Sequence, residues 1–183
     1  MQTFRIHTLE TAPDGSKQSL QGLQKNFGFI PNAAATMAGS PALINSFVAA
    51  FGHLHGGSFT DAEKQTLLLT NAVALNCAWT VAFHSTMALK VGMAASDVAS
   101  IRNRQAPADS KLAAISALAR ALVERKGHGA EAEIARFVAA GYAQAQVLEL
   151  VTGIAISTMA GLTATMAKTP VEDLFKAQSW SGA

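Results

Sequence analysis

The run Asn76-Cys77-Ala78-Trp79-Thr80-Val81-Ala82-Phe83-His84 holds the most concentrated set of reactive side chains in the sequence. Residues three and four apart on a helix share a face, so Cys77, Thr80 and His84 are expected to point the same way. A thiol near a helix start meets unpaired amides and the positive end of the dipole, which favour the thiolate, and an imidazole two turns on can take or return a proton. That is the chemistry of a reactive cysteine with a histidine base. The same residue types also have a plainer use, because a free cysteine is commonly a small buried hydrophobe and a buried histidine commonly a hydrogen-bonded core residue. Trp79, Phe83 and Met87, spaced four apart, read as core packing or as the lining of an apolar ligand pocket.

The remaining histidines say less. His53 and His55 lie two apart at an expected helix end, where a solvated or subunit-contact role fits better than metal binding, and His7 and His128 fall in expected loops. No metal and no other cofactor is expected.

The elements that must position these residues are helices. Ser40-Pro41 places a capping hydroxyl before a first-turn proline, and the run that follows stops at Gly56-Gly57. Thr60-Asp61-Ala62-Glu63 is a capping box, which opens a long helix with Leu68, Ala72 and Leu75 on one face. Asn76 interrupts it, and a second helix is expected from Cys77 to Lys90. Further helices are expected from Asp109 to Lys126-Gly127, from Glu131 to Ala140, and from Gln144 to Ala167. Thr169-Pro170-Val171-Glu172 repeats the capping-box pattern before a last helix through Lys176. No segment alternates with period two for long enough to make a strand. The expectation is one all-α domain over residues 1–183 with about eight helices. Trp180 is expected either to cap an interface or to belong to a frayed tail.

Composition narrows the function classes. Half of the 183 residues are hydrophobic and 14% are charged, with a net charge of +2, which excludes a disordered chain. The basic residues are scattered, so no nucleic-acid partner is expected. One cysteine cannot make an intrachain disulfide, and the N-terminus shows no basic-then-apolar leader, so a cytoplasmic setting is expected. Two stretches, Gln65 to Leu89 and Leu150 to Ala167, contain no Asp, Glu, Lys or Arg. Their Thr, Ser, Asn and Gly content suits helices covered by other helices or by a neighbouring subunit rather than by lipid.

Several segments together carry a resemblance to a known family: FGFIPN (Phe27 to Asn32), the following SPALI, Thr60 to His84, Gly92, the stretch around Phe137 to Gly141 and Thr169-Pro170 leading to Asp173. With them the chain resembles, over nearly its whole length, the alkylhydroperoxidase D and carboxymuconolactone decarboxylase superfamily. The resemblance implies a multi-helical alkylhydroperoxidase D-like bundle that assembles as a homo-oligomer, a trimer or a hexamer. It also implies peroxidase-like activity, the reduction of a hydroperoxide or disulfide, carried by a Glu, two Cys and a His. Laid on this sequence, those positions are Gln65, Cys77, Thr80 and His84. The second of the family's thiols attacks peroxide, and here that position is Thr80, which has no thiolate at neutral pH and cannot enter the sulfenic-to-disulfide route. Gln65 cannot accept a proton as the family's glutamate does. Glu63 is no substitute, because two helical residues turn the side chain by roughly 200° and Glu63 is committed to its cap.

Two-cysteine peroxidase activity is therefore expected to be weak or absent. A one-cysteine role for Cys77 with His84 as base stays open. So does a cysteine-independent lyase or decarboxylase using His84, acting on a small carboxylate or lactone, and so does a non-catalytic helical binding protein.

Overall fold

The computed structural model describes residues 4–182, which hold nine α-helices and one 3-10 helix and no strand. In chain order these are α1 (Asp14–Phe27), α2 (Asn32–Met37), α3 (Pro41–His55), α4 (Asp61–Ala74), α5 (Ala78–Lys90), α6 (Ala95–Arg102), α7 (Ser110–Glu124), α8 (Glu131–Ala139), α9 (Gln144–Ala167) and the 3-10 helix Asp173–Gln178. The all-α expectation holds.

Helices whose starts are written in side chains sit where the sequence puts them. The Ser40 hydroxyl accepts from the Leu43 amide with Pro41 in the first turn of α3. Thr60 and Glu63 close the capping box of α4 in both directions, and Asp109 accepts from the amides of Lys111 and Leu112 at the start of α7. By contrast α1, α2 and α6 follow Pro13, Pro31 and Ala94, none of which supplies a capping hydrogen bond. These three helices escape a reading based on caps.

The last expected capping box does not form. Glu172 takes the Asn32 amide at 2.6 Å and the Trp79 indole N–H at 2.8 Å, and the Thr169 hydroxyl is buried without a partner. Glu172 thus ties the C-terminal segment to α2 and α5 instead of capping an α-helix, and the residues beyond it form a 3-10 turn. Nor is the tail frayed. Arg102 donates to the carbonyls of Gln178 and Ser179, and Trp180 packs on the cluster built from α4, α5 and α6.

The centre of the molecule is α4, where every residue from Lys64 to Val73 is buried, with α5 and α9 beside it. Gly153 allows α9 its close approach: a Cβ there would lie 2.5 Å from Leu67 Cδ2. By length and composition alone α9 could cross a membrane. In the fold it packs on α2, α3, α4 and α5, and its outer side exposes Leu148, Val151, Leu162 and Met166.

Candidate functional site

The junction between α4 and α5 decides what Cys77 can do. Asn76 adopts a left-handed conformation, φ 53°, which asparagine tolerates better than most residues. Its amide donates to the Val73 carbonyl and the Cys77 amide to the Ala72 carbonyl, both at 3.1 Å. That hydrogen-bond pair is the Schellman closure, in which the residue after the left-handed one is characteristically apolar and packs back on the helix it ends. Cys77 is that residue, and it is also the extended N-cap of α5. Cys77 therefore precedes the first helical residue, Ala78, and its place is set by the joint between the two helices. The thiol is 2% exposed within a cluster that includes Trp79, Phe83, Ala160 and Phe175.

Thr80 is likewise buried, and its hydroxyl donates back to the Cys77 carbonyl at 3.1 Å. Neither residue lines the two cavities at His84, among the described residues.

His84 is instead joined to the fourth sequence candidate. Its Nδ1 lies 3.1 Å from Gln65 Oε1, with both side chains buried. A carbonyl oxygen only accepts, so Nδ1 carries the proton and Nε2 is left as an acceptor. Burial pushes the imidazole down from its ordinary value to about 3, with the nearby His55 charge as the smaller cause. No carboxylate offsets the burial, because position 65 is an amide. His84 is therefore neutral at physiological pH.

Two spaces meet at this ring. Inward is an apolar cavity of about 40 Å³, bounded by Phe27, Met37, Trp79, Phe83, Ile156 and Ala160, with polar atoms supplied by His84 and Ser157. Outward is an open cleft of about 340 Å³ that holds His55, Asp61, Gln65, Met87 and Lys90. Phe27, Phe51, Phe83 and His84 line both, and so form the wall between them. Phe83 is fixed by stacking on Trp79 at 5.2 Å and by edge contacts with Phe27 and Phe175. Phe51 carries the His55 ring at a centroid distance of 4.2 Å. Trp79 and Phe83 are thus core and pocket lining at once, while Met87 belongs to the cleft.

The sequence reading overlooked His55, Phe51, Lys90 and Ser157 as members of the site. The i, i+4 series Phe47, Phe51, His55 on α3 was the available signal for the first two. Ser157 reaches the site only because α9 crosses behind α5, which no local pattern reveals. Glu63 has the structural role expected of it: besides its cap, it accepts from the Tyr142 hydroxyl at 2.6 Å.

No family model and no curated protein matches this sequence. Solved structures do match. An alkylhydroperoxidase AhpD core described as an uncharacterized peroxidase-related protein from Ralstonia eutropha JMP134 superposes with a TM-score of 0.80 at 20% identity, over 94% of this chain and 93% of that one. An uncharacterized peroxidase-related protein from Silicibacter sp. TM1040 gives 0.79 at 14% identity, over 96% and 93%. The debrominase Bmp8 gives 0.76 at 18% identity over 90% of both chains, and a variant of it was solved in complex with 2,3,4-tribromopyrrole. The chain has the alkylhydroperoxidase D-like fold, as the sequence resemblance implied.

Proposed function

We propose that this chain is a peroxidase-like scaffold whose working group is His84 rather than a thiol, and that its site binds a small, largely apolar molecule. The observation that carries this is the pairing of His84 with Gln65 at the wall between cavity and cleft, while Cys77 is consumed as the residue that joins two helices. Thiol-dependent reduction of hydroperoxides is then weak or absent. A ligand O–H or N–H donates to His84 Nε2, and the aromatic wall supplies the apolar contact. The debrominase complex with 2,3,4-tribromopyrrole, a small ring carrying an N–H, supports a small-molecule site in this fold.

A His84-dependent lyase is the second reading. A base whose conjugate acid titrates near 3 is poorly matched to neutral pH. Negative charge brought by a substrate would raise that value, so this reading requires an anionic substrate. Either way the protein acts as a homo-oligomer in the cytoplasm, with the apolar stripe Leu148, Val151, Leu162 and Met166 of α9 covered by a second copy.

The test compares wild type, Cys77→Ser and His84→Gln. Consumption of cumene hydroperoxide with dithiothreitol is expected to stay at background in all three. Ligand-induced shifts of the His84 ring resonances are expected to survive Cys77→Ser. Peroxide turnover that Cys77→Ser abolishes would overturn the proposal.

A further inference from the structure

The two spaces that meet at His84 differ sharply in character. The inner cavity is apolar apart from His84 and Ser157, and the titratable groups His55, Asp61 and Lys90 all belong to the outer cleft. Their charges do not cancel. Asp61 is paired with Lys64 at 3.4 Å, and the Lys64 ammonium also donates to the His55 carbonyl at 2.9 Å. Lys90, exposed at the end of α5, has no salt-bridge partner among the described residues. The cleft therefore presents one uncompensated cation, with the His55 imidazole, which burial and the Lys64 charge hold below its ordinary value, as a neutral N–H donor beside it. Only a molecule with its charge at one end satisfies both compartments.

Resting on the His84-centred reading above, we propose that the ligand is an amphipathic monoanion: a carboxylate head at Lys90 and His55, and a short apolar tail that passes Phe51 and Phe83 into the inner cavity. Size sets the tail. A water-sized group needs roughly 10–15 Å³ of such space, so a cavity of about 40 Å³ takes roughly three carbon atoms. Further methylenes lie against Phe27, Phe51 and Met87 in the cleft. Ser157 sits beyond the wall, and its oxygen accepts from the Asn71 amide at 3.2 Å. That bond occupies the serine oxygen and leaves the cavity wall to apolar groups that suit a hydrocarbon tail.

The probes are hexanoate and hexan-1-ol, which differ only in the head, titrated into the full chain at pH 7. Occupancy is read from the His84 ring resonances and from the melting temperature. Hexanoate is expected to bind more tightly than hexan-1-ol, and Lys90→Gln to reduce that preference about two- to fivefold, the range of an exposed charge pair. Ala160→Val, which fills the inner cavity, is expected to abolish binding of both; should that variant not fold, the Lys90→Gln comparison decides alone. Equal binding of the two probes in wild type, both lost in Ala160→Val, would overturn the anion assignment and leave the His84 site standing. No movement of the His84 resonances with either probe would overturn the site itself.

Discussion

Removing His84 should flatten the acid limb of the stability curve by an amount that can be worked out beforehand. In the unfolded chain the imidazole titrates near 6.5, whereas in the folded protein burial beside an uncharged Gln65 holds it down to about 3. Between those values the unfolded state binds a proton that the folded state refuses. Stability therefore falls with falling pH by about 1.4 kcal/mol per unit from this one residue. From pH 7 to pH 5 the loss is about 2 kcal/mol, and that figure hardly changes if the folded value is 4 rather than 3. His84→Gln removes this titration while keeping an amide able to pair with Gln65. The assay is urea unfolding of both proteins at several pH values between 5 and 7, at one protein concentration, and the quantity compared is the difference in slope. Titrating groups that do not interact with His84 cancel in that difference, and His55 is the neighbour that does interact. Wild-type and variant lines that run parallel would refute the reasoning, because His84 would then accept its proton without unfolding.

Gln65→Glu should move the same imidazole the other way, raising its pKa by about 1–3 units through an opposite charge at hydrogen-bond distance, as read by proton NMR titration. Cys77 should react with a disulfide reagent only at the rate of unfolding, and Cys77→Ser should cost about 1–3 kcal/mol by placing a hydroxyl in an apolar cluster, measured in urea. Glu172→Ala should cost a similar amount, because the Trp79 indole N–H and the Asn32 amide both lose their acceptor; thermal unfolding checks it. If the homo-oligomer proposed above forms through α9, Leu162→Glu should shift the mass toward monomer in analytical ultracentrifugation, since it puts a charge in the exposed apolar stripe.

What the sequence disclosed follows from where the information resides. Local signals are complete for α3, α4 and α7, whose caps are side chains a few residues from the helices they start. They are silent for α1, α2 and α6, whose starts depend on backbone and packing. They mislead at Thr169 to Glu172, because a capping-box spacing cannot reveal that Trp79 and Asn32 will compete for the glutamate. The candidate site behaves in the same way. Gln65 and His84 come from the family spacing and do meet. Cys77 falls at the joint rather than within the helix, because a left-handed Asn76 closes α4 just before it. Lys90, His55 and Ser157 converge from three different helices, a fact of tertiary packing alone.

The joint at Cys77 also has a mechanical meaning. Gln65 lies twelve residues before it on α4 and His84 seven after it on α5, so the two arms are roughly 18 Å and 10 Å long at 1.5 Å per residue. A change of about 3° in the angle between these helices displaces the far end of the longer arm by about 1 Å, which is enough to part Gln65 from His84. The sulfur takes no part in the Gln65–His84 hydrogen bond, yet it packs at the joint between the two helices that carry the partners.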